Sequence, residues 1–235
     1  MSVADNLSTV RARIAAAAQR SGRDPSSITL VAVSKTFGLD AVREAAAAGQ
    51  RDFGENRVQE ALQKIEAAAD ISMRWHLIGH LQSNKARKAA PAFRWIQSVD
   101  SIDLLRRLEE GAAERPPGDP LDVLVQVDLA GEATKFGATR EEAERILAAG
   151  AAMPYLRVSG LMLVPPWNED PEQTRPWFVQ LRELRDRWLQ AGMPAASLRH
   201  LSMGMSHDYE AAIEEGATIV RVGTAIFGKR EAKTP

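Results

Sequence analysis

The chain has 235 residues, of which 45% are hydrophobic and 26% charged, so it is long and apolar enough to bury one sizeable core. A formal net charge of -1 gives no indication of nucleic acid or an anionic membrane as a partner, and no stretch approaches the roughly 18 to 20 apolar residues of a membrane span. The absence of cysteine excludes disulfides, thiolate metal sites and a cysteine nucleophile, and it is compatible with a reducing cytoplasm.

The N-terminal stretch predicts an amphipathic helix with Val10 and Ile14 on its apolar side. Arg11 and Arg13 interrupt the apolar residues, so this stretch does not have the pattern of a secretory signal. We therefore expect it to be an extra helix of the folded protein.

After this helix, short runs of Val, Ile and Leu alternate with Ala-, Glu- and Arg-rich stretches of helical spacing, a pattern typical of parallel strands with crossover helices. The predicted strands span residues 28–35, 51–56, 73–80, 95–101, 121–130, 156–164, 199–206 and 218–228. The predicted helices between them span 39–49, 57–69, 101–114, 139–152, 172–192 and 207–217. Several of these stretches reach a glycine that can close a last turn in the left-handed conformation, namely Gly49, Gly150, Gly192 and Gly216.

Eight strand-helix units in a chain of this length favour a (β/α)8 barrel over an open doubly wound sheet. We therefore predict a single α/β domain over residues 1–235, built as a barrel with an extra N-terminal helix. In such a barrel the active face is formed by the C-terminal ends of the strands and the loops that follow them.

The stretch VAVSKTF, residues 31–37, ends a predicted buried strand on a lysine. Side chains alternate along a strand, so if Val31 and Val33 fill the barrel, Lys35 points into its mouth. One interpretation is that Lys35 extends into solvent or pairs with an acid. The other is a desolvated amine that can form a Schiff base with an aldehyde.

Polar residues also follow strands 7 and 8, where barrels frequently bind phosphate. Ser202 and Ser206 offer hydroxyls, and Ser206 is positioned to cap the following helix. Gly223 allows close backbone approach, while Thr224 adds a hydroxyl and an amide. Each has a purely structural alternative, but together, opposite Lys35, they indicate an aldehyde that carries a phosphate.

Arg221 shares strand parity with Gly223 and is expected to point into the barrel. It either satisfies a buried carboxylate or faces a pyridine nitrogen, which a guanidinium keeps unprotonated because it can only donate. Asn56 at the end of strand 2 either contacts a cofactor or caps the next helix, and Glu55 is interpreted as a supporting acid.

His76 and His80 have HxxxH spacing, which places two histidines on one face of a helix. On a strand the same residues lie roughly 13 Å apart, too far to share a metal ion. No metal site is therefore predicted; His76 is expected to be packed and hydrogen-bonded, and His80 to border the pocket.

Six motifs, VAVSKTF, FGENRVQEAL, WHLIGHLQSNKAR, SVDS, VSGLMLVPP and LSMGMSHDYEAAIEEGATIVRVGTAIFG, closely resemble those of the pyridoxal phosphate homeostasis protein family. The resemblance covers nearly the whole chain, and the family fold is similar to the N-terminal barrel of alanine racemase. It implies pyridoxal 5'-phosphate (PLP) as the cofactor, held by Lys35, Asn56, Ser202, Ser206, Arg221, Gly223 and Thr224.

In this resemblance Lys35 holds PLP as an internal aldimine, and Arg221 lies at the pyridine nitrogen. Ser206, Gly223 and Thr224 hold the phosphate, with Ser202 and Asn56 as further neighbours of the cofactor. Family members are cytoplasmic carriers that buffer free PLP, without an established catalytic activity.

Two enzymatic alternatives share this fold. A racemase needs acid-base groups on both faces of its substrate, and in alanine racemase the second is a tyrosine from a C-terminal domain that we do not expect here. A Schiff-base aldolase normally carries its lysine on a later strand, often the sixth, and predicted strand 6 has none. The expectation is a monomeric, non-catalytic PLP carrier that serves apo PLP-dependent enzymes, with a weak or restricted amino-acid racemase as the alternative.

Overall fold

A computed structural model describes residues 2–131 and 136–228. In these residues eight parallel strands form a closed barrel, in which each strand pairs with the next and β8 pairs with β1. The strands are β1 Thr29–Val33, β2 Asp52–Glu55, β3 Arg74–Leu77, β4 Trp95–Val99, β5 Leu121–Gln126, β6 Leu156–Met162, β7 His200–Ser202 and β8 Ile219–Val222. This confirms the predicted (β/α)8 barrel.

Helices connect successive strands and cover the outside of the barrel, where they bury most of the apolar core. They are α1 Val3–Arg20, α2 Leu39–Ala47, α3 Val58–Ala67, α4 Ala86–Ala89, α5 Ile102–Ala112, α6 Arg140–Gly150, α7 Arg175–Gln190, α8 Tyr209–Glu214 and α9 Thr224–Phe227. None of the helices in the described parts of the chain is long and apolar enough to cross a membrane.

The strands end earlier than predicted, and this moves one candidate site segment into a loop and another into a short helix. β1 ends at Val33, and Thr36 then takes a left-handed φ of 72°, so Lys35 lies in the β1-α2 loop. β8 ends at Val222, and residues 224–227, predicted as strand, form the short helix α9. The carbonyl of Gly223 starts this helix because it accepts hydrogen bonds from the N–H groups of Ile226 and Phe227.

The glycine prediction was right at three helix ends and wrong at one. Gly49, Gly192 and Gly216 have left-handed φ values of 83°, 93° and 98°. Gly150 instead is the last residue of α6 and lacks a left-handed φ. A side chain there would collide with Val158 of β6, so this glycine lets a helix approach a strand closely.

The predicted N-terminal helix is present as α1 and packs against α2, α8 and α9. Ser2 and Asp5 form a capping box at its start, which fixes where the helix begins. Leu7, Val10 and Ile14 are buried along one side, as the spacing predicts.

Replacing Leu7, which is fully buried, by alanine should lower the free energy of unfolding by about 2 to 5 kcal/mol, because it leaves a cavity between α1 and the barrel. Urea unfolding followed by circular dichroism measures this. Ser8→Ala, at the exposed neighbouring position, is the control and should change stability by less than about 0.5 kcal/mol. Equal effects would mean that α1 contributes little to the core.

Candidate functional site

A cavity of about 410 Å³ opens at the C-terminal end of the barrel strands. Its polar wall comes from the ends of β1, β2, β7 and β8, which the barrel brings together although they lie far apart in the chain. Six of the seven predicted site residues line it, namely Lys35, Asn56, Ser206, Arg221, Gly223 and Thr224.

Lys35 reaches this cavity by the strand parity that the sequence predicts. Val31 packs inside the barrel with side chains of β5, β6 and β8, and Val33 lines the cavity above it. Lys35, half-buried, continues the same side of the strand beyond its last hydrogen-bonded residue. Lys35 also borders an outer groove of about 710 Å³ towards α3.

A buried ion pair fixes the backbone next to Lys35. Glu55, fully buried, accepts through Oε1 from the hydroxyl of Ser34 and from Nζ of Lys64, both at 2.6 Å. Lys64 also donates to the carbonyl oxygen of Ser34 at 2.8 Å. Glu55 is therefore the supporting acid that the sequence suggested. Its partner Lys64 was missed, because nothing local links a lysine in α3 to the loop after β1.

Two of the residues expected to hold a phosphate, Ser206 and Gly223, are in direct contact. The Ser206 hydroxyl accepts from the backbone N–H of Gly223 at 3.0 Å and of Ala225 at 3.5 Å. Two N–H groups from the β8-α9 turn therefore point at one oxygen on the cavity wall. A β-carbon at position 223 would come within 3.3 Å of the carbonyl oxygen of Val33, which favours glycine there.

Ser206 does not cap the following helix, contrary to the prediction. α8 begins at Tyr209, and Asp208 occupies the capping position. The carboxylate of Asp208 instead accepts from the N–H of Met205 at 2.6 Å, which closes a turn around Ser206. That turn directs the Ser206 hydroxyl across to β8. Asn56 is likewise not a cap, because α3 starts at Val58 with Arg57 before it.

Arg221 lies inside the barrel, as predicted, with only 4% of its surface exposed. Its Nη1 donates to the hydroxyl of Ser202 at 2.6 Å, and its Nη2 donates to the carbonyl oxygen of Leu163 at 2.8 Å. Burial lowers the pKa of Arg221 to about 10, against the opposing charge of Asp208, so it remains a cation at neutral pH.

Ser202 differs from the other six predicted residues because it does not line the cavity. It is fully buried on β7 and contacts the site through Arg221. The hydroxyl of Ser202 donates to Oε1 of Gln97 on β4 at 2.7 Å. Ser202 is the last residue of the short strand β7 and is in contact there with the guanidinium of Arg221.

These contacts continue through the barrel as a hydrogen-bonded series that we call the core polar chain: Arg221, Ser202, Gln97, His76 and Asp52. Nε2 of Gln97 lies 2.9 Å from Nδ1 of His76, and Nε2 of His76 lies 3.0 Å from Oδ1 of Asp52. The prediction that His76 is packed and hydrogen-bonded is confirmed. Gln97 and Asp52 were missed, although polar residues inside strands β2 and β4 were a signal.

Charge is unevenly distributed along the core polar chain. Burial opposes ionisation of Asp52, but hydrogen bonds from Arg74 and His76 outweigh it and lower the pKa of Asp52 to about 2. Burial lowers the pKa of His76, and its hydrogen bond to Asp52 only partly opposes this. A neutral imidazole therefore lies between an ionised carboxylate and the amide of Gln97.

Two aromatic side chains stand at the rim. His80 stacks on Phe136 with ring centroids 3.7 Å apart and lines an adjoining groove that shares Asn56 with the cavity. Trp167 lines the cavity itself and is 73% exposed, with its ring 6.2 Å from that of His207. Trp167 is thus a rim residue, unlike Trp75 and Trp188, which pack in the core.

Comparisons with known proteins show the family of the chain. The profile of the family described as alanine racemase, N-terminal domain, matches residues 6–231. The chain is 47% identical to the pyridoxal phosphate homeostasis protein of Pseudomonas aeruginosa, over 99% of this chain and 98% of that protein. It is 43% identical to the protein of the same name from Aquifex aeolicus, over 98% of this chain and all of that one.

Solved structures give the same result. PipY of Synechococcus elongatus, 40% identical, superposes with a TM-score of 0.84 in a structure without PLP and 0.82 in one with PLP bound. Each match covers 96% of this chain and 100% of PipY. Alanine racemase of Corynebacterium glutamicum, 18% identical with a TM-score of 0.68, shares the fold, and the match covers 97% of this chain but 64% of the racemase.

The fold and the cavity define a barrel of the alanine racemase N-terminal type. Within that class, the chain belongs to the pyridoxal phosphate homeostasis protein family.

The depressed pKa of Asp52 predicts an acid-dependent loss of stability. Because its pKa is about 2 when folded and ordinarily 3.8, ionised Asp52 stabilises the fold above pH 4, and this contribution declines as the pH falls. The stability difference between the wild type and Asp52→Asn should shrink by about 1 kcal/mol between pH 5 and pH 3. Urea unfolding at each pH measures it. Leu7→Ala, which removes no titrating group, should keep a constant difference from the wild type, and a constant difference for Asp52→Asn would contradict the assignment.

Proposed function

We propose that this chain binds PLP through a Schiff base on Lys35 and acts as a cytoplasmic carrier that buffers the cofactor, with residues 1–235 forming one binding domain. The observation that carries the proposal is that an amine and a proposed anion-binding turn line the same cavity: Lys35 follows β1, and Ser206, Gly223 and Thr224 follow β7 and β8, of which β8 pairs with β1. A phosphorylated aldehyde has the two groups that such a cavity would hold.

The residues of the cavity fit this cofactor. The backbone N–H groups that meet at the Ser206 hydroxyl would bind phosphate oxygens, and Thr224 adds a further hydroxyl. Arg221 would face the pyridine nitrogen, and Asn56 would hydrogen-bond near the ring. A volume of about 410 Å³ lies within the range of small-molecule sites.

When bound, PLP supplies an aldehyde that forms a reversible carbon-nitrogen double bond with an amine. The amine of Lys35 would condense with this aldehyde and release one water, and a second amine would then add to the imine carbon and release Lys35 as the free amine, with no water consumed. The outer groove, which Lys35 also lines, would let such an amine approach the loop that carries Lys35 from the side of α3. This supports exchange with solution amines or with the lysines of apo PLP-dependent enzymes.

Two features favour a carrier over a racemase. A guanidinium can only donate, so Arg221 would keep a pyridine nitrogen unprotonated, which weakens the ring as an electron sink. The described residues that line the cavity also include no tyrosine or carboxylate to act opposite Lys35. Both tyrosines of the chain lie elsewhere: Tyr155 is exposed, and Tyr209 is buried below Arg13.

Purified protein with PLP should show the absorption band of a Schiff base, and borohydride should attach the cofactor to the peptide that contains Lys35. Lys35→Ala should lose both signals, because no other amine reaches the cavity from the described residues that line it. Lys88→Ala, at an exposed position of α4, is the control and should bind and react like the wild type. Undiminished binding by Lys35→Ala would overturn the Schiff-base assignment, and turnover of amino acids at ordinary enzymatic rates would overturn the carrier assignment.

Ser206→Ala tests the phosphate contact separately. It removes the hydroxyl at the anion-binding turn, so the affinity for PLP should fall about tenfold, as expected for one hydrogen bond to a charged group. The affinity for pyridoxal, which has the same aldehyde and no phosphate, should change by less than about twofold. Equilibrium titration by absorbance measures both. A similar loss for both ligands would place the phosphate elsewhere.

A further inference from the structure

The core polar chain joins groups from five strands across the interior of the barrel. Arg221, Ser202, Gln97, His76 and Asp52 come from β8, β7, β4, β3 and β2, and each is at least nine-tenths buried. The four links between them measure 2.6, 2.7, 2.9 and 3.0 Å. Packing alone does not require polar groups here, because the neighbouring interior positions Val31, Leu124, Met162 and Ile219 are apolar.

The direction of every link follows from Arg221. A guanidinium can only donate, so the hydroxyl of Ser202 accepts from it and has its own hydrogen left to donate to Gln97. The amide of Gln97 then accepts through its oxygen and donates through Nε2 to Nδ1 of His76. Nδ1 therefore carries no hydrogen, and a neutral His76 carries it on Nε2.

The Asp52 end of the core polar chain requires the same position of the hydrogen on His76. Asp52 is held by Arg74 and stays ionised, so it can only accept and needs a hydrogen on Nε2 of His76. If the Gln97 amide were reversed, its oxygen would face Nδ1, and His76 would need a hydrogen on Nδ1 as well as on Nε2. An imidazole with both hydrogens is charged. Burial of His76 disfavours that charge. Both ends thus specify one order of donors and acceptors.

We propose that Ser202 and Gln97 are positioning residues for Arg221: the ordered core polar chain, anchored at Asp52, holds the guanidinium in the orientation in which it meets the bound cofactor. This inference rests on the proposed PLP function for the identity of that cofactor. The second link of Arg221, to the carbonyl oxygen of Leu163, leaves Ser202 as the side chain that sets the position of Nη1.

The order of donors and acceptors in the core polar chain can be tested without any cofactor. Nitrogen NMR of the apo protein should show His76 with an unprotonated Nδ1 and a protonated Nε2. The protein has four histidines, so single replacements can assign the signal. Gln97→Glu replaces the donor at Nδ1 by an acceptor, so Nδ1 should become protonated. A protonated Nδ1 in the wild type, or an unprotonated Nδ1 in Gln97→Glu, would overturn the proposed order.

The positioning role is tested by PLP release. Ser202→Ala should release PLP about tenfold faster than the wild type and shift the absorption maximum of the bound cofactor, because Arg221 loses an acceptor. Ser159→Ala is the matched control: it removes a buried hydroxyl that has no hydrogen-bond partner in the described structure. It should keep the wild-type spectrum and a release rate within about twofold.

The outcomes separate the two proposals. If the wild type binds PLP but Ser202→Ala and Ser159→Ala behave alike, the positioning role is wrong and the proposed function stands. If the wild type binds no PLP, the proposed function fails and the positioning role with it, whereas the His76 signal still decides whether the chain is ordered as described.

Discussion

The pairing of β8 with β1 closes the barrel and determines where each group of the site stands. In this register Arg221 is paired with Val31. Val31 is followed two residues later by Val33 and four residues later by Lys35. A shift of one residue would turn Arg221 away from the interior and Val222 into it, because neighbouring residues of a strand face opposite sides. The interior position of Arg221 and the alignment of the β8-α9 turn with the loop of Lys35 therefore depend on a single set of backbone hydrogen bonds.

That register places a buried charge inside the barrel, and such a charge is costly unless it is hydrogen-bonded. In the described structure the hydrogen bonds of Arg221 go to no carboxylate, although the charge of Asp208 acts on it from further away. Instead, two neutral acceptors bind the guanidinium, and the carboxylate of Asp52 lies at the far end of the core polar chain. Removing any middle member would leave buried donors or acceptors unpaired, so the chain is expected to behave as a unit. Uncharged acceptors, the hydroxyl of Ser202 and the carbonyl of Leu163, therefore orient the N–H groups of Arg221.

Much of the fold could be predicted from the sequence because it depends on local periodicity. The alternation of apolar runs and helical stretches gave the barrel, and strand parity gave the inward direction of Arg221 and the approach of Lys35 to the mouth. The errors arose where contacts between distant residues prevail over local pattern. Ser206 precedes a helix and has the pattern of a cap, yet its hydroxyl bonds to the turn after β8.

Other features have no local signal at all. The partnership of Ser202 with Gln97 joins residues 105 positions apart, and that of Glu55 with Lys64 depends on how α3 crosses the end of β1. The side chain that Gly150 lacks leaves room for Val158 on another element. Such pairs arise only when the strands are assembled, which is why the sequence yielded most residues that line the cavity but missed Gln97, Asp52 and Lys64.

The ion pair of Glu55 and Lys64 has a consequence for how the site exchanges its ligand. It ties the residue before Lys35 to β2 and α3 with buried contacts that do not involve the cavity. The loop that carries Lys35 is therefore held by these contacts before any ligand arrives, which under the proposed function lowers the ordering cost of binding. Under the proposed function, loading and unloading would change the bonding at one nitrogen atom while these buried contacts stay in place.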